Sequence, residues 1–240
     1  EKLTHLNPKA NFLDRQYEDL LKLEYGQSVL RSDYDHDTGK FTQHRKVKAS
    51  DYVVLSGLHA FYLPKMRKLV DLKIYIDTQE DLRRHWKVER DLKERSKSKK
   101  DVLKQIESRV KDSQKFIHPQ RDFADIVIHY FTEEKFAVGD DSANPEIKLK
   151  VTVDANVPLG NIIPHLEQLT SVDWDYSEDL QTQHIIFSNN ISSQAIEALA
   201  SQHIVNLEEL LGDAPQWQDG NRGAIQLLIL MILSEKVKAL

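Results

Sequence analysis

Residues 72–96 read LKIYIDTQEDLRRHWKVERDLKERS. The first six, LKIYID, form a candidate strand, and from Gln79 to Glu94 the pattern turns helical. As a helix, this stretch puts Leu82, Trp86 and Leu92 largely on one side and Lys87, Arg90 and Glu94 on another. Arg95 follows where the pattern loosens into a Ser/Lys-rich loop, SKSKK. Two readings of these cations compete. They are a solvated face with intrahelical pairs such as Glu89 and Lys93, or a set at a helix end placed to close over phosphates. The helix pattern alone favours the solvated face.

On either side the same alternation continues. Asp51–Ser56, DYVVLS, is an apolar run followed by Gly57 and suits a strand buried on both faces. Ala124–Tyr130, ADIVIHY, is a further strand, and Asp101–Lys115 a helix with Val102, Ile106 and Val110 inward. Strand and helix alternate, which predicts an α/β arrangement with right-handed crossovers. Ligands in such sheets bind beyond the carboxyl ends of the strands, where Ser56, Gly57, His59 and Asp77 fall.

Towards the beginning, Asn11 is a candidate cap for a helix carrying Leu13, Tyr17, Leu20 and Leu21, with Gly26 ending it. Asp33, Asp35 and Asp37 imitate a calcium loop, but the glycine comes one place late and His44 occupies the closing position, which excludes calcium. Further on, Glu133–Pro145 reads as a connection. Beyond it Ile147, Leu149, Val151 and Val153 alternate with Lys148, Lys150 and Thr152 as a half-buried strand. A short helix after Pro164, strands at 172–176 and 184–188, and helices from Ser192, Asn206 and Gly223 complete an α+β region.

Composition narrows the function classes. The 240 residues hold 33 basic and 38 acidic side chains, a net charge of −5, so the whole chain is not a polyanion binder. The basic residues concentrate between Arg83 and Arg121, which suits small phosphorylated ligands better than nucleic acid. There is no cysteine, which excludes thiolate metal sites and is compatible with the cytoplasm. The longest apolar run, Ala224–Leu233, is too short to span a bilayer and contains Gln226. It belongs in a core or at a homo-oligomer interface, and the core is the better reading.

Six stretches then carry a resemblance: LNPKANFLDRQYEDLLKLEYGQSV, SDYDHDTGKF, YVVLSGLHAFY, DLKIYID, WKVERDLKERS and FIHPQRDFADIVI. In this order and spacing the chain resembles the phosphoribulokinase and uridine kinase family, and more closely its phosphoribulokinase side. The resemblance covers about the first 130 residues. The expected fold is therefore α/β, a P-loop-kinase-like parallel sheet lacking its first, central strand, followed by a smaller α+β region. The expected domains are 1–135, kinase-like, and 146–240.

The resemblance implies ATP-dependent phosphoryl transfer to a hydroxyl of a sugar phosphate or nucleoside, with ATP and Mg2+ as cofactors of a complete family enzyme. It implies phosphate contacts for Lys87, Arg90 and Arg95, because phosphoryl transfer is mainly positioning and charge neutralisation. Tyr34 and His36, and less directly His59, correspond to the acceptor side. Two departures stand out. The sequence holds no GxxxxGK[ST] loop or the acidic base that follows it, and Ser56 stands where the family carries a glutamate expected to help hold magnesium. The expectation is the C-terminal portion of a metabolite kinase, inactive by itself. The alternative is a kinase-derived regulatory or binding protein. Neither a nucleic-acid nor a membrane partner is expected.

Overall fold

The computed structural model describes every residue except 1–2, 36–37, 96–97, 141, 189–190, 213–214 and 239–240. The chain forms two compact units, one of residues 1–71 and 109–123, the other of residues 72–108 and 124–240.

In the first unit, α1 (Leu13–Glu24) is entered through a 3-10 turn at Pro8–Ala10. Asn7, rather than Asn11, is a capping residue here: its side chain accepts from the Lys9 N–H. Asn11 instead donates its amide to the carbonyls of His5 and Asn7. Gly26, at φ +73°, ends the helix as expected. Two short antiparallel pairs follow: β1 (Val29–Arg31) with β4 (Arg45–Val47), and β2 (Tyr34–Asp35) with β3 (Lys40–Phe41). The aspartates between them serve the turns. Asp33 pairs with Arg45 at 3.2 Å, and Asp35 accepts from the Thr38 hydroxyl at 2.7 Å. A single turn, α2 (Pro64–Arg67), completes this part.

The expected strand at 51–56 does not form. The segment is irregular, and Val53 and Val54 are 48% and 92% exposed. An apolar run becomes a strand only where a neighbour offers a ladder of N–H and C=O groups. Among the described residues no strand pairs with 51–56.

The second unit starts with β5 (Ile74–Thr78), α3 (Glu80–Arg95) and α4 (Lys99–Glu107). The helix expected over 101–115 thus breaks at Ser108. The chain then enters the first unit through α5 (Val110–Asp112), a π turn and a 3-10 turn, and returns as β6 (Ile126–Phe131). After it come β7 (Lys148–Asp154), α6 (Ile163–Glu167), β8 (Ser171–Tyr176), β9 (Thr182–Ser188), α7 (Ser193–His203), α8 (Leu207–Leu210) and α9 (Gly220–Lys238).

One sheet of order β5-β6-β7-β9-β8 organises these elements. Only β5 and β6 are parallel, with Ile74 opposite Ile126, and the remaining pairs are antiparallel. The sheet is therefore mixed rather than parallel throughout. β5 and β6 are joined by helices, as a parallel pair requires, whereas β6 to β7 and β8 to β9 have no crossover helix. The expected division at 135–146 falls inside this sheet and does not coincide with the two units.

Alternation on β7 puts Leu149, Val151 and Val153 on the buried face, beside Ile128, Ile185 and Phe187. Against them lie Leu166 of α6, Ile196 and Leu199 of α7, and Leu227 and Leu228 of α9. The Ala224–Leu233 run is thus core. α9 starts tightly: an added Cβ on Gly223 would sit 2.0 Å from the Gln218 carbonyl oxygen. Gln183, 1% exposed, donates its amide to the carbonyls of Asp154, Ala155 and Val157 and accepts from the Trp174 indole.

Replacing Gln183 by Leu would strand those groups in a dry interior. Unfolding in urea is expected to show a loss of about 3 kcal/mol, at the upper end for a buried polar network that loses its partner.

Candidate functional site

The helix that carries the expected cations is oriented by Leu82, His85, Val88 and Asp91, all buried. Trp86, expected inward, is instead 38% exposed and meets Tyr130 edge-on at 6.2 Å. The buried positions recur every third residue, so the stripe winds about half-way round the helix, and its last member is a carboxylate. Val88 packs with Val102 and Ile106 of α4, with Leu92 and Leu103 at the edge. Arg84 joins α3 to Glu107 at the other end of α4.

A loop clamps this helix pair from the side. The Gly139 N–H donates to His85 Nδ1 at 3.1 Å, and Lys99 Nζ donates to the Gly139 carbonyl at 3.0 Å. Gly139 has φ +70°, and a Cβ there would approach Val88 Cγ1 to 2.8 Å. Only glycine satisfies both the backbone and the space.

The three expected cations converge on Asp91. Lys87 Nζ is 2.7 Å from Oδ2, while Arg90 donates from NH2 at 2.9 Å and from Nε at 3.1 Å to Oδ1. Arg95 NH1 lies 3.6 Å from the same Oδ1. Arg90 and Arg95 keep 47% and 41% of their side chains exposed, so they are anchored yet reachable. Three positive groups around one carboxylate leave a net positive surface. Arg95 ends α3 and α4 begins at Lys99, so Lys99 and Lys100 of the Ser/Lys-rich stretch open a second helix, with Ser98 as its cap. Asp91 did not enter the sequence-based set, although its signal was there: an acid with cations four before, one before and four after it.

Burial alone would push the Asp91 carboxyl up, but hydrogen bonds from Lys87 and Arg90 outweigh it and bring its pKa down to about 2. A lowered carboxylate pKa stabilises the fold above the ordinary value near 3.8, and that contribution fades as pH falls towards 2. Asp91→Asn is therefore expected to remove a component of acid destabilisation between pH 4 and pH 2. Urea unfolding of both proteins across that window measures it; parallel pH curves would refute the assignment.

The acceptor-side candidates lie in the first unit. Tyr34 is half exposed on β2 and touches Phe41 edge-on at 5.5 Å. His36 lies outside the described residues. His59 is 4% exposed, with Nε2 3.0 Å from the Leu6 carbonyl, and burial lowers its pKa, which favours the neutral ring. It lines a cavity of about 590 Å3 together with Arg15, Asp19, Arg31, Ser32 and His44. Arg31 faces Asp19 at 3.7 Å, and Ser32 Oγ is 2.8 Å from His44 Nδ1. Tyr34 is not among the lining residues. The sequence reading missed Arg15, Asp19 and Arg31 because they are scattered on α1 and β1 and meet only through the fold.

Residues 1–137 match the family model described as Phosphoribulokinase / Uridine kinase family. The chain belongs to this family. Phosphoribulokinase of Synechocystis sp. is 31% identical over 172 residues, covering 72% of this chain and 51% of that protein. Chloroplastic phosphoribulokinase of Spinacia oleracea is 31% identical over 174 residues, covering 72% and 43%. Uridine kinase of Lactobacillus helveticus is 32% identical over 126 residues, covering 50% and 60%. The chain spans about half the length of the curated relatives it matches. The solved structure of phosphoribulokinase from Rhodobacter spheroides shares the fold, with a TM-score of 0.55 at 17% identity over 99% of this chain and 78% of that one. The kinase fold expected of the phosphoribulokinase and uridine kinase family is thus present, in mixed-sheet form.

Proposed function

We propose that this chain is the anion-clamping and acceptor-side portion of an ATP-dependent kinase that phosphorylates a hydroxyl of a sugar phosphate or nucleoside. The observation that carries the reading is the convergence of Lys87, Arg90 and Arg95 on buried Asp91 in a member of this kinase family. A transferred phosphoryl group spreads charge over its oxygens, and fixed cations lower the barrier by meeting that charge without reorganising. Asp91 acts here as a positioning residue. It holds the Lys87 ammonium and the Arg90 guanidinium in place, and the half-exposed Arg90 presents its outer N–H donors to phosphate oxygens. In this reading Tyr34, His36 and His59 serve the hydroxyl acceptor.

Ser56, where the family carries a glutamate, offers only a neutral hydroxyl, a poor ligand for Mg2+. The sequence also carries no GxxxxGK[ST] loop to cradle the nucleotide. The 240 residues by themselves are proposed to be inactive. ATP and Mg2+ belong to the complete enzyme. Its partners in this reading are small phosphorylated molecules or nucleosides, in the cytoplasm.

Ser56 also supports a second reading, a kinase-derived binding protein that keeps the anion clamp without catalysis. Modification of arginines by phenylglyoxal, mapped by peptide mass, tests the clamp. ATP with a sugar phosphate is expected to slow labelling of Arg90 and Arg95 several-fold, and an unchanged rate would overturn the clamp. Phosphoryl transfer by a complete polypeptide containing these residues, assayed with ATP, Mg2+ and a panel of hydroxyl acceptors, separates the readings. Arg90→Gln is expected to lower kcat/KM at least tenfold there, while protection without any transfer favours the binding protein.

A further inference from the structure

A second cavity in the first unit shares no lining residue with the one beside His59. It encloses about 370 Å3, within the range of small-molecule sites. Its walls are rings and prolines, chiefly Tyr62, Pro64, Phe116, Pro119 and Phe123. Arg67 and Lys115 supply its charge, and no carboxylate lines it. The Arg67 guanidinium lies 3.6 Å from the Phe123 ring centroid, and Lys115 Nζ lies 5.1 Å from that of Phe116. Among the described residues neither cation has an ion-pair partner.

We propose that this cavity binds a small organic anion with a flat aromatic body, an aryl phosphate or aryl carboxylate. The Phe123 ring shields one face of the guanidinium and leaves the in-plane N–H groups of Arg67 to donate to a forked anion. Lys115 adds a second charge, and the aromatic body packs on Phe116, Pro119 and Tyr62. The site reaches the acceptor-side cavity through two ring contacts. Tyr62 meets Phe116 edge-on at 6.1 Å and His59 edge-on at 5.6 Å. Occupancy is thus reported at Tyr62, one ring away from a residue placed on the acceptor side. This inference does not depend on the α3 clamp.

The test is ring NMR of the full chain labelled at tyrosine, with the Tyr62 signal assigned through Tyr62→Phe. Phenyl phosphate and benzoate probe the two anion types, and inorganic phosphate and phenol probe each half of the ligand. Phenyl phosphate or benzoate is expected to shift the Tyr62 signal saturably, with phosphate and phenol at least tenfold weaker. Arg67→Gln with Lys115→Gln is expected to weaken binding at least tenfold at unchanged far-UV circular dichroism, whereas Arg90→Gln leaves it unchanged. Should the double variant fail to fold, Lys115→Gln alone is expected to weaken binding several-fold. No Tyr62 shift with either aryl anion, equal binding of inorganic phosphate, or full binding after charge removal would each overturn the proposal.

Discussion

Strand β6 is hydrogen-bonded along both edges, parallel to β5 on one side and antiparallel to β7 on the other. Everything in the second unit hangs on that strand. It ends the family-like part of the chain and begins the sheet that α6, α7 and α9 cover. Its Ile126 and Ile128 contribute to the same core as Leu149, Val151 and Leu227. A boundary drawn after β6 would expose that core face and leave one ladder of N–H and C=O groups without partners. This is why the composition change at 133–145 marks a long loop rather than a division of the fold. Part of that loop returns to α3 and α4 through Gly139, so even the connection has a structural task.

The charge on α3 is organised by the same economy of buried polar groups. A buried carboxylate needs partners, and Asp91 finds them in three cations that would otherwise extend into water. A single acid thus converts long, mobile side chains into a fixed positive surface, which is what phosphate recognition requires. The solvated-face reading and the phosphate reading are not opposites here. The side chains are partly exposed and paired on their own helix, and the pairing gives them a shared direction.

The elements with strict periodicity were legible before any coordinates. The α3 boundaries, the β7 alternation, the β8 and β9 strands, the start of α7 at Ser192 and the apolar α9 all follow from local pattern. The failures share a cause. At 51–56 the residues have strand composition but no neighbouring ladder; at 101–115 helical periodicity runs on past Glu107, where the backbone turns into tighter and wider helical turns. Trp86 fits an apolar face on a helical wheel, yet the buried stripe is rotated to include His85 and Asp91, because Gly139 and the paired cations satisfy those polar groups. Pattern alone cannot see such satisfaction.

By itself the sequence determined the family, the positions of Lys87, Arg90 and Arg95, and the alternation of strands with helices, since each depends on residue types at short spacing. Only the tertiary structure decided that Asp91 gathers those cations, that β6 joins two regions into one sheet, and that Arg15, Asp19, Arg31 and His59 line one cavity. These are contacts between residues distant in sequence or hidden behind a helix face. Their energies come from burial and mutual satisfaction of polar groups, which exist only once the chain has folded.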